Sequence, residues 1–136
     1  MNCGFGWLGR QPFHFRLLVV YNGFMELQLL SSQKLNTVLA ELRSQLEALY
    51  ETRLVHLVLY GSQARGDAWL GSDVDVLVVL VGPVDPTTEI ERVSPITAAL
   101  SLEYDIIISC LYISEERYIQ ENSPLLLNVC REGIAV

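Results

Sequence analysis

The stretch that decides the reading runs Tyr60-Gly61-Ser62-Gln63-Ala64-Arg65-Gly66-Asp67 and ends, after a short gap, in Ser72-Asp73-Val74-Asp75-Val76-Leu77-Val78. It has two halves. In the first, an apolar run closes in Gly-Ser and a short helical turn is expected over residues 63–66. Glycine lets the backbone approach a ligand closely. Exposed amides at a helix start attract phosphate. The Ser62 hydroxyl adds a donor, and Arg65 adds a cation suited to phosphate oxygens.

The second half is Asp73 and Asp75. Alternate residues of a strand face the same way. The two carboxylates would then lie side by side, roughly 7 Å apart at the backbone. Two anions on one face of an apolar strand are costly unless something offsets them. Magnesium would, since it takes hard oxygens from one or two carboxylates and completes its shell with substrate phosphates. Asp105 repeats the anomaly in Leu102-Glu103-Tyr104-Asp105-Ile106-Ile107-Ile108. Three aspartates at strand positions beside a phosphate nest suggest a two-metal site for in-line displacement. Each feature alone has a plainer reading: a solvated strand start, a capping acid, a surface arginine. Their conjunction carries the chemistry.

Working outward, Leu54–Tyr60 reads as a buried strand and Asp73–Val81 as a second, ended by Gly82, Pro83 and Pro86. Leu35, Val38, Leu39, Leu42, Leu46 and Leu49 fall at helical spacing, with Ser31 or Ser32 as the cap. A helix is expected over residues 87–102, broken by Pro95. A third strand is expected over Tyr104–Leu111. Ser114 would cap a helix over 115–121, Pro124 would open another that Gly133 ends, and Ile134–Val136 would form an edge strand. His56 is expected to pack within its strand. The order predicts an α+β (mixed α/β) domain: a small mixed sheet with helices on one face. Residues 1–24 show no period, so the domain is expected to span 25–136 behind an irregular extension.

The chain has 136 residues, 51% hydrophobic and 18% charged, with a net charge of -7 and Lys34 as its single lysine. That is one domain with a real core. It has too few cations to grip a nucleic-acid backbone, so no direct nucleic-acid partner is expected. No apolar run approaches the ~20 residues that span a bilayer. Cys3, Cys110 and Cys130 are odd in number and widely spaced, which predicts neither a disulfide framework nor a zinc site and fits the cytoplasm.

Gly61-Ser62, ten residues, then Asp73-Val74-Asp75 resembles the signature of the DNA polymerase beta-like nucleotidyltransferase superfamily. The fuller string resembles its minimal nucleotidyltransferase (MNT) branch, over about Lys34 to Val136. The resemblance implies that Asp73, Asp75 and Asp105 are catalytic and bind two Mg²⁺, Asp105 also activating the acceptor hydroxyl. Gly61, Ser62 and Arg65 would bind the nucleotide, with ATP as donor. It further implies an antitoxin that transfers AMP to a tyrosine hydroxyl of a HEPN ribonuclease toxin and that forms a hetero-oligomer with it. Two alternatives stand beside this. One is an antitoxin that neutralises by complex formation, its acidity masking a basic toxin surface. The other is a nucleotidyltransferase acting on a small-molecule hydroxyl, which suffers from the lack of an acceptor-binding domain.

Overall fold

The computed structural model describes residues 23–65 and 73–136, with side chains from Ser32 onward. Helix α1 (Gly23–Tyr50) leads through a 3-10 turn (Glu51–Arg53) into β1 (Leu54–Tyr60), a four-residue turn α2 (Ser62–Arg65) and β2 (Val74–Leu80). Then come α3 (Pro86–Tyr104), β3 (Ile108–Ser114), α4 (Glu115–Gln120), α5 (Pro124–Glu132) and β4 (Ile134–Ala135).

The sheet order is β3-β2-β1-β4. β1 runs antiparallel to β2 and β4, while β2 and β3 are parallel. β2 is central, and from Val76 to Leu80 every residue is buried. A near-continuous apolar run is what a strand covered on both faces requires.

Both faces are indeed covered. Leu57, Leu59, Val74, Val76, Val78 and Leu80 join Val38, Leu42 and Leu46 of α1 and Val93 and Leu100 of α3 in the larger core. On the other face Val58, Leu77, Val79 and Ile113 pack with Tyr118 of α4 and Leu126 and Val129 of α5. The α+β mixed sheet stands as expected, but the helices are not confined to one face. The two long ones take one side and the two short ones the other. The apolar side chains at alternate positions of β2 demand that second cover.

Three boundaries move. α1 starts at Gly23, so the expected domain start at Met25 falls in its first turn, and Ser31 and Ser32 lie inside it rather than at its cap. Residues 1–22 lie outside the described residues. The stripe on α1 buries Leu35 through Leu46 but ends on Tyr50, leaving Leu49 exposed. α3 runs unbroken through Pro95 to Tyr104. Its end is held by the Tyr104 hydroxyl, which donates to Glu41 of α1 at 2.7 Å. β3 therefore begins at Ile108, not Tyr104.

Ser114 caps α4 and Ser123 caps α5, each accepting from the backbone N–H three residues on. Cys110 is a free thiol. Among the described residues no helix is long and apolar enough to cross a membrane.

Candidate active site

Gly61 and Asp75 meet where β1 ends and β2 begins. Tyr60 pairs with Asp75 across the antiparallel ladder. Gly61 then turns the chain away at φ +78°. That is left-handed backbone that glycine adopts without strain. The carboxylate of Asp75 lies directly over it: a Cβ placed on Gly61 would sit 2.7 Å from Asp75 Oδ2. The close approach that the sequence suggested for a ligand is thus made first by this carboxylate.

Asp73 precedes β2 and is exposed, while Asp75 is half-buried. Burial pushes the Asp75 carboxyl up, and the neighbouring charge of Asp73 pushes it the same way. Both effects disfavour the anion. A divalent cation held between the two would reverse them, and an all-oxygen carboxylate pair is the donor set a hard cation such as Mg²⁺ prefers. The residues therefore fit that ion. Tyr60, on the same face, has its phenol pushed up to about 12 by burial, then by the Asp75 charge and by Cys110. It stays protonated at neutral pH.

Ser62 opens α2 and is half-buried beside the glycine. The turn is closed by the Arg65 N–H, which donates to the Gly61 carbonyl at 3.1 Å. The Arg65 guanidinium makes an ion pair with Glu132 at 3.2 Å. Glu132 escaped sequence reasoning because it is far away in the chain and looks like an ordinary acid at a helix end. Gly66, Asp67, Trp69, Gly71 and Ser72 lie outside the described residues.

Asp105 is placed differently from expectation. It caps the C-terminus of α3 in the left-handed conformation, φ 52° and ψ 55°, and is exposed. It is not a strand residue. The position on β3 level with Asp75 belongs to Ser109. The Val74 N–H bonds to the Ile107 carbonyl at 2.8 Å, so Asp105 lies two residues short of the ladder, at the same end of the sheet as Asp73. Among the described residues no three His, Cys, Asp or Glu side chains gather closely enough to hold a metal. The structure brings together Gly61, Asp73 and Asp75, with Ser62 and Arg65 adjoining. It does not bring Asp105 into a three-carboxylate cluster.

Comparison with known proteins places the chain in a family. Residues 39–126 match the family model of the nucleotidyltransferase domain. Two Methanocaldococcus jannaschii proteins ascribed as protein adenylyltransferases are similar. One is 36% identical over 72 residues, 53% of this chain and 72% of the relative. The other is 34% identical over 94 residues, 68% and 88% respectively. Two solved structures share the fold at a TM-score of 0.50. A Sulfolobus solfataricus protein ascribed as a nucleotidyltransferase is 17% identical, with 86% of this chain and 88% of that one covered. A toxin-antitoxin solved with AMP-PNP is 18% identical, with 69% and 68% covered. With the family model spanning most of the chain and its glycine turn and paired aspartates at one end of the sheet, the protein belongs to the nucleotidyltransferase domain family and is a nucleotidyltransferase.

Proposed function

We propose that this nucleotidyltransferase moves AMP from ATP to a tyrosine hydroxyl of a HEPN ribonuclease toxin, and so acts as its antitoxin. The observation that carries the reading is the Asp73–Asp75 pair set against the Gly61–Ser62 turn. The protein adenylyltransferase assignments of the two archaeal relatives support AMP as the group moved and protein as the acceptor. The toxin-antitoxin of like fold, solved with AMP-PNP, supports the kind of partner.

In this scheme Asp73 and Asp75 would hold Mg²⁺ beside the triphosphate. Ser62, the amides of its turn and Arg65 bind phosphate oxygens. A metal held there would supply neutralisation of the negative charge on the phosphates. The acceptor oxygen forms a bond to the α-phosphorus, the bond to pyrophosphate breaks, and the hydroxyl proton leaves to a base. The carboxylate we assign to that acceptor side is Asp105, two residues ahead of the ladder at the same end of the sheet. Since it stands apart from the pair, we give it the proton and not the metal. Most of the catalysis is positioning and electrostatics.

Intact mass of the partner after incubation with the protein, ATP and Mg²⁺ tests the scheme. A gain of one or more AMP units is expected. Full inhibition of the toxin with no gain in mass would instead establish neutralisation by binding. Modification of small-molecule hydroxyls with the toxin untouched would establish the third reading. We place the reaction in the cytoplasm, where the nucleoside triphosphate is made.

A further inference from the structure

The C-terminal segment does more than complete the sheet. β4 pairs Val58 with Ala135 and Leu59 with Ile134. Glu132 is the last residue of α5, two positions before Ile134, so the helix end and not the ladder carries it to the Gly61 end of β1. The segment is fixed on both sides of this point. Leu126 and Val129 of α5 are buried against the sheet, and the Gly133 N–H donates to Val129 at 2.7 Å. The Val136 N–H donates to Leu57 at 2.9 Å, and the Arg43 side chain bonds the Val136 carbonyl. Glu132 is thus delivered by anchored backbone, and its carboxylate accepts from Arg65 Nη1 at 3.2 Å across 67 positions of sequence.

From this geometry we infer that Glu132 is a positioning residue for nucleotide binding, acting through Arg65. The inference rests on the assignment of Gly61, Ser62 and Arg65 to the triphosphate. A carboxylate beside a triphosphate site repels the ligand unless a cation stands between them. Glu132 is acceptable there because Arg65 does. An arginine loses rotamer freedom when it grips a phosphate, and a side chain already ordered loses less. Glu132 holds the guanidinium through Nη1, and because the guanidinium is a rigid plane, fixing one of its donors fixes the orientation of the rest. The pair is only partly exposed, 44% at Arg65 and 32% at Glu132, so water weakens it without dissolving it.

Calorimetric titration of the full chain with Mg²⁺ and ATP tests this, using Glu132→Ala, Glu132→Gln, Glu132→Asp, Arg65→Ala and the Arg65→Ala/Glu132→Ala double variant. Removing the carboxylate is expected to weaken ATP binding about fivefold. Glu132→Asp should recover part of that. The double variant should bind no worse than Arg65→Ala alone, because the two residues act as one unit. Unfolding midpoints without ATP should be unchanged, while the ATP-induced rise in midpoint shrinks. Unaltered or tighter ATP binding in Glu132→Ala would overturn the inference. So would losses that add in the double variant, or that follow a fall in the ATP-free midpoint. A wild-type chain that binds no ATP overturns the proposed function itself. Normal wild-type binding with an indifferent Glu132→Ala overturns only the role of Glu132.

Discussion

At Gly61 two independent constraints coincide. The backbone is left-handed at φ +78°, and an added methyl would meet Asp75 Oδ2 at 2.7 Å. Gly61→Ala is therefore expected to destabilise the fold by about 1–2 kcal/mol from the backbone alone. It should also displace the Asp75 carboxylate and cost activity beyond that loss. Denaturant midpoint and transfer rate, measured together, separate the two effects. Asp73→Asn and Asp75→Asn leave the backbone alone and remove one charge each. Each should lower the transfer rate by about a hundredfold or more, with Mg²⁺ dependence lost in parallel. Full turnover in either would remove the pair from the site. Asp105 separates two readings. Asparagine tolerates left-handed backbone at least as well as aspartate, so Asp105→Asn should leave the unfolding midpoint unchanged. Reduced transfer with ATP affinity intact is the outcome expected of an acceptor-side base, and unchanged transfer would reduce Asp105 to a helix cap. The carboxylate pair was legible because charge inside an apolar run is conspicuous. Glu132 was not, since a contact spanning 67 residues leaves no local pattern.

Elements were legible where local chemistry and packing agree. β1 was expected over Leu54–Tyr60 and is found there, because apolar residues with high strand preference run straight into Gly61. The short helices were equally readable, since Ser114 and Pro124 mark their starts. α3 and β3 were not. Proline lacks the N–H that an α-helix interior needs, and its ring crowds the preceding turn. Yet Val93, Leu100 and the Tyr104–Glu41 bond hold α3 against α1 on either side of Pro95. Tertiary packing outweighed the local penalty, and the longer helix pushed the start of β3 from Tyr104 to Ile108. The Ser94 hydroxyl donates to the Ile90 carbonyl at 2.6 Å just before the proline. If the helix bears that strain, Pro95→Ala should stabilise the protein by at least about 1 kcal/mol, within the ~3 kcal/mol that interior proline costs. An unchanged or lower thermal midpoint would show that Pro95 is already accommodated.

Across the whole molecule the candidate site lies at one end of the sheet and a buried charge cluster at the other. Gly61, Asp73 and Asp75 occupy one. At the other, Glu89 is 3% exposed, accepts from the Tyr50 hydroxyl at 2.7 Å, and pairs with Arg92 at 3.3 Å and Arg53 at 3.9 Å. Arg53 also donates to the carbonyls of Val81 and Pro83, both at 3.2 Å, tying β1 and β2 together away from the site. This joint sets one acid against two arginines, so it takes up none of the -7 balance, which falls on the rest of the chain. Near that second end, His56 pairs with Val79 and is exposed rather than packed within its strand as expected, with its ring 5.3 Å from that of Tyr118 of α4. Burial lowers its pKa below 6.5, and the charge of Glu115 opposes that in part. The sign of the stability effect follows. As pH falls, the unfolded chain protonates His56 first, so between 6.5 and the lower folded value the unfolded state binds more protons. Folding stability should be full above 6.5 and decline through that window, levelling off once the folded form is protonated too. Glu115→Gln removes the opposing charge, which should lower the folded value further and deepen the decline. Urea midpoints between pH 7.5 and 5, compared with those of His56→Gln, isolate the contribution from that of the carboxylates. A wild-type and His56→Gln difference that does not vary with pH would mean that the α4 cover leaves His56 as well hydrated as in the unfolded chain.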